Sequence, residues 1–229
     1  MRFEIIMTPV YICRKVQNGS IKIDGLLDEP GWQGIEPVGD FMLSDGAEPA
    51  SRRTEARMCW DDTYLYISFR SEDPDIWGTM LNRDDMIWEE EVVEAFLDPD
   101  SDLVEYYEFQ NSPRNVQTDL LISNPTGRRD GLVPNRKWNC EGWLTAVQVD
   151  GTLDDRSDVD RGWTSEWAIP FASIPGGPHN PPKDGDTWRG NLYRIDLTPT
   201  PEFSCWSPTL EVPPNYHVPT LFGTIVFKE

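Results

Sequence analysis

Histidine is nearly absent. The 229 residues contain two, His179 and His217, far apart in the chain. A histidine-rich zinc centre is thereby excluded, and a Ser–His triad has little to be built from. Cysteine is sparse as well: Cys13, Cys59, Cys140 and Cys205 stand alone, with no CxxC spacing. They read as buried free thiols in preference to zinc ligands, and one disulfide stays open to an exported chain. Positive charge is short, with 20 Lys+Arg against 40 Asp+Glu and a formal net charge of −20. Such a field repels phosphate backbones, and no basic stripe appears, so nucleic acid and anionic membrane surfaces are poor partners. No apolar run reaches membrane-spanning length, so no membrane insertion is expected. The short apolar run at Met1–Pro9 is broken by Glu4 and Pro9 and lacks a signal-peptide core. A soluble chain is expected, and secreted and cytoplasmic locations both stay open. Sustained helical periodicity is missing too.

What is present is strand chemistry. Twenty Pro and seventeen Gly punctuate short alternating runs, which is how successive strands and turns read. Strands are expected at 10–14, 54–60, 63–71, 106–111, 115–122, 143–150, 163–169, 187–196 and 222–227. Short helical turns are expected near 28–31 and 171–174. No linker-like stretch or internal repeat divides the chain, so residues 1–229 read as one β-sandwich domain. Ten Trp are far above ordinary usage. The indole suits flat, amphipathic ligand surfaces, although most of these rings are expected in the core or at turns.

The segment from Met86 to Asp100 is the most informative. At period two, Val92, Glu94 and Phe96 share one face, and Val93, Ala95 and Leu97 the other. A strand apolar on both faces is central, which puts Glu94 in or beside a core. A buried carboxylate is costly without a partner. Two readings stand: an ion pair with Arg194 or Arg70, or contact with a polar ligand. Arg194 itself lies with Trp188 and Leu192 and asks for a carboxylate, Glu166 or Glu94. Glu94 and Glu166 could also be read as a glycosidase acid/base pair, but structural pairing is favoured.

A set of ordered motifs carries a family resemblance. They are Ile23-Asp-Gly-Leu-Leu-Asp-Glu-Pro-Gly-Trp32, Leu65-Tyr-Ile-Ser-Phe69 with Glu72 and Asp73, Trp88 through Asp98, and Gly162-Trp-Thr-Ser-Glu-Trp-Ala-Ile-Pro170. Trp188-Arg-Gly-Asn-Leu-Tyr-Arg194, Trp206-Ser-Pro208, Tyr216-His-Val-Pro219 and Phe222-Gly223 follow. In this order, from about residue 20 to the end, the chain resembles a family 9 carbohydrate-binding module. The resemblance implies an immunoglobulin-like or jelly-roll antiparallel β-sandwich that binds sugar without catalysis. It also implies two tryptophans flanking a sugar ring and a glutamate on its hydroxyls. Trp88 and Glu94 match the spaced Trp–Glu pair, and Trp206 is the counterpart for the second tryptophan. The family's arginine has no clean match; Arg114 lies nearest, beside Pro113 in an apparent turn. Glu108 and Asn191 complete the candidate sugar contacts. The implied ligand is an oligo- or polysaccharide such as xylan or glucan, with a link to a glycoside hydrolase and polysaccharide breakdown. The implied calcium ions are structural.

Other features keep alternatives open. Asp98, Asp100 and Asp102 have hard-cation spacing, which turn chemistry also explains; the acidic run from Asp150 to Asp160 shares that ambiguity. Similar sandwiches carry b-type haem, for which Met80, Met86 or His217 would be axial ligands. A scaffold whose sugar site has degenerated is a further alternative. His217 is otherwise a packing or rim residue.

Overall fold

The computed structural model describes residues 7–229; the amino-terminal reading above falls largely outside them. The chain is an all-β sandwich. Its strands are β1 Val10–Lys15, β2 Met42–Leu43, β3 Thr54–Trp60, β4 Tyr64–Glu72, β5 Val92–Asp98, β6 Glu105–Asn111 and β7 Gln117–Ser123. They continue as β8 Val133–Asn135, β9 Leu144–Asp150, β10 Gly162–Pro170, β11 Thr187–Asp196, β12 Glu202–Cys205 and β13 Gly223–Lys228. Neighbours run β8-β7-β6-β5-β11-β13-β1-β3-β4-β10-β9, with β12 beside β11 and β2 beside β12. Pairing is antiparallel except where β1 runs parallel to β13 and β3. Single 3-10 turns occur at Pro30–Trp32 and Phe171–Ser173, where short helical turns are expected.

The strands with clear alternation form almost where the sequence places them, because each packs an apolar row into the main core or, as β7 does with Leu120 and Ile122, into a second cluster. Ala56 and Met58 on β3, Leu65, Ile67 and Phe69 on β4, and Leu192 on β11 all join it. β5 is buried along its whole length. Val93, Ala95 and Leu97 face this core, while Val92 and Phe96 face a second cluster with Tyr193, Ile195 and Tyr216. β2, β8 and β12 are short and lack alternation of their own; pairing with longer neighbours defines them.

Arg194 resolves the first ambiguity. It pairs with Val93 across β11 and β5, whereas Glu94 pairs with Tyr193. One residue of register therefore puts Arg194 and Glu94 on opposite faces. The Arg194 guanidinium donates to Asp73 at 3.1 Å, to Asp196 at 2.9 Å and to the Glu72 carbonyl at 2.7 Å. Arg70 is exposed on β4, in the other half of the sandwich. Glu166 is taken by the amino-terminal motif: it accepts from the Asp24 and Gly25 amides and from Trp32 Nε1 at 2.8 Å. Of the readings left open for Glu94, neither the ion pair with Arg194 or Arg70 nor the catalytic pair with Glu166 forms.

Candidate functional site

A cavity of about 520 Å³ opens on the β5–β6–β7 face away from the main core. Its floor is set by register. Glu94 on β5 lies opposite Gln110 on β6, and Phe96 opposite Glu108, so both carboxyls and the amide share one surface. Gln110 Nε2 donates to Glu108 at 2.6 Å, which leaves Gln110 Oε1 buried without a donor. Glu94 is 2% exposed, and no hydrogen bond or ion pair reaches its carboxyl among the described residues. Burial, reinforced by Glu108, raises Glu94 well above the usual carboxylate range. Burial also pushes Glu108 up to about 8, against the pull of the Gln110 hydrogen bond and the Arg136 charge. The floor is thus rich in acceptors and poor in donors.

One wall is Trp88. A 3-10 turn at Ile87–Glu89 buries Ile87 and leaves the indole half-buried beside the second cluster. Glu90 braces the approach by accepting the Thr79 and Met80 amides at 2.7 and 3.2 Å. The Arg136 guanidinium stacks 4.9 Å from the centroid of the Trp88 ring. It leaves β8, whose Pro134 faces the cavity from an edge strand, where a missing N–H costs no ladder bond.

The opposite wall is the segment 213–217. Tyr216 anchors it, stacking on Tyr193 at 4.1 Å and donating its hydroxyl to the Arg194 carbonyl at 2.8 Å. His217 stacks on Phe96 at 5.1 Å, and its Nδ1 lies 2.9 Å from the Tyr106 hydroxyl. Burial lowers His217 to about 4, helped by Arg129, so the ring is neutral in ordinary buffer.

Of the six sugar-contact candidates, the cavity gathers Trp88, Glu94 and Glu108. The other three lie elsewhere. Trp206 is 4% exposed and packs in the main core, edge-on to Tyr11 at 6.4 Å. Its ring lies so close to Gly223 that a Cβ there would sit 2.4 Å from Cη2. The expected pair of tryptophans facing across a gap is therefore replaced by Trp88 and the 213–217 wall. Arg114 is held by the Gly78 carbonyl and Asp154. Asn191 is buried, donating to the Ser207 carbonyl at 2.7 Å and accepting its amide at 2.9 Å. It is a brace between strands. Met80 and Met86 do not line the cavity with His217, so no axial pair is assembled there.

Sequence reading missed Arg129, Leu132, Pro134 and Arg136 on one side and the prolines of the other wall. These come from irregular segments without period, and only the fold brings them to β6.

The acidic loop after β5 is a separate cluster. Carboxylate oxygens of Asp98, Asp100 and Asp102 lie within 4.8 Å of one another. Asp98 is fully buried; Oδ2 accepts the Leu103 amide at 3.0 Å, and Oδ1 has no partner among the described residues. Burial raises Asp98 to about 7. Asp24, Glu29 and Glu166 form a second such group. The run from Asp150 to Asp160 is spent on turns and ion pairs, as in the Asp160 bonds to the Ile76 and Thr152 amides. All four cysteines are buried and free.

The sandwich fold and the family match below place the chain in a class of protein, the non-catalytic sugar-binding modules. The chain belongs to carbohydrate-binding family 9, whose model matches residues 42–227. It is 26% identical over 186 residues to an "Extracellular protein" of Arthroderma benhamiae, across 76% of this chain and 78% of that one. It is 30% identical over 156 residues to Endo-1,4-beta-xylanase A of Thermoanaerobacterium saccharolyticum, across 68% of this chain and 11% of the enzyme. A Thermotoga maritima Endo-1,4-beta-xylanase A shares 32% over 91 residues, 39% of this chain and 8% of the enzyme. The chain thus spans only about a tenth of the xylanases it matches. Among solved structures, a family 9 module of Caldicellulosiruptor kristjanssonii in complex with cellotriose superposes with TM-score 0.64 at 16% identity, covering 96% of this chain and 93% of that one. A Bacteroides uniformis protein superposes with TM-score 0.73 at 20% identity, covering 97% and 100%. These superpositions establish the shared fold.

Proposed function

We propose that this cavity binds one end or ring of an oligo- or polysaccharide of the glucan or xylan type. The carrying observation is Glu94, a buried carboxyl without a partner among the described residues, at the bottom of an open cavity beside a half-buried tryptophan. Sugar hydroxyls supply the donors that Glu94, Gln110 Oε1 and Glu108 lack, and the pyranose C–H face suits the Trp88 indole. Arg136 now stacks on that indole, so a sugar laid there takes over its contact and frees the guanidinium. The C. kristjanssonii module was seen with cellotriose and with glucose, which supports a glucan-type ligand here. The xylanase relatives support work alongside a glycoside hydrolase, and the fungal relative supports a place outside the cell. Affinity in the micromolar range, about 8 kcal/mol, is expected for so small a polar ligand. Calorimetry and tryptophan fluorescence against glucose, cellobiose and xylo-oligosaccharides test this. Heat and a spectral change with at least one support it, and silence with all three removes it.

Calcium at Asp98, Asp100 and Asp102 is part of the same reading. The residues fit a hard cation: three oxygens converge and the fully buried Asp98 Oδ1 is unpartnered. A bound ion would tie the end of β5 to the following loop.

A further inference from the structure

Four charged side chains line the cavity: Glu94 and Glu108 on the floor, Arg129 and Arg136 at the mouth. The floor pair is buried, and among the described residues no ion pair reaches either carboxyl. Two ionised carboxylates side by side in such a place are prohibitively costly, so the pair holds at least one proton. Their raised titration points agree. The mouth arginines are permanently charged and exposed, and among the described residues neither is in an ion pair. Their neighbour Arg128, by contrast, lies 3.5 Å from Asp130. In a chain with twice as many acids as bases, two unneutralised guanidiniums at one cavity mouth form a local positive site in a negative molecule. His217 adds no opposing charge, being neutral and engaged with Tyr106.

We propose that the preferred ligand is an acidic sugar, a uronic acid or a chain bearing one, with its carboxylate at Arg129 and Arg136 and its hydroxyls on the floor. This rests on the carbohydrate reading above and narrows it. A carboxylate matches the guanidinium fork, which donates two parallel hydrogen bonds to its oxygens where an ammonium offers a point charge. Displacement of Arg136 from Trp88 by the sugar ring makes its guanidinium available when a carboxylate arrives. The lowered floor charge favours the same ligand, since a carboxyl pair that is not fully ionised repels an anion less while its free oxygens still accept from hydroxyls.

Paired titrations by calorimetry at pH 6 test it, comparing glucuronic acid with glucose and galacturonic acid with galactose. Acetate serves as the simple-anion control and glucosamine as the opposite charge. At least one uronic acid should bind about tenfold or more tightly than its neutral twin, and salt near about 0.5 M should shrink that ratio. In the Arg129→Gln/Arg136→Gln double variant, checked for an unchanged melting curve, the ratio should fall towards one. Arg136→Lys should retain part of it. A neutral sugar binding as well as its acid, glucosamine binding best, or acetate alone reproducing the effect overturns the acidic-sugar inference and leaves the carbohydrate reading standing. Absence of binding by every sugar overturns both.

Discussion

Glu94 carries the account at the residue scale because burial leaves it only two ways to be satisfied, and Arg194 is committed to Asp73 and Asp196. Glu94→Gln keeps the shape and removes the ionisable group, so sugar affinity should fall while the melting temperature holds or rises. Trp88→Ala should cost about 2 kcal/mol of binding, roughly thirtyfold, with a minor loss of stability because the ring is half exposed. Calorimetry beside thermal unfolding separates the two. Titration adds a second check. The folded Glu108 value of about 8 lies above its ordinary 4.5, so its stabilising contribution is complete below pH 4.5 and is lost as pH rises through 8. The folded His217 value of about 4 lies below 6.5, so its contribution is present above pH 6.5 and is lost as pH falls through 4. Urea unfolding from pH 5 to 9 should show a decline that Glu108→Gln flattens.

At the scale of elements, strand register governs what the sequence could reveal. β3 and β11 were legible to the residue because each has a clear pattern of apolar positions, and period two correctly put Glu94 and Phe96 on one face. The same rule shows why Arg194 belongs to the other face. Trp206 misled because local sequence does not say which layer a tryptophan after a short strand will enter. β12 pairs with β11 and carries the ring into the core beside Gly223. Trp206→Ala should therefore cost about 3–5 kcal/mol of stability, seen by denaturant unfolding, while the folded fraction keeps its sugar affinity. The two walls at 129–136 and 213–217 were illegible for another reason. Their cavity-facing residues obey no period, and only the sheet neighbourhood of β7, β8 and β11 brings them together.

At the scale of the whole molecule, a net charge of −20 and the acidic loop at the end of β5 make stability the readout for the calcium proposed there. Calcium at 100 times its dissociation constant should add about 2.7 kcal/mol, a rise of roughly 5–10 °C in melting temperature. Asp98→Asn should abolish the shift, and a melting temperature indifferent to both chelator and added calcium would remove the ion from the account. The cavity itself is best tested by a crystal structure grown with excess cellobiose or glucuronic acid. A sugar ring against Trp88, with a hydroxyl within hydrogen-bond distance of Glu94, is the expected result. A ring bound elsewhere on the sandwich, with the Trp88 cavity empty, would contradict it.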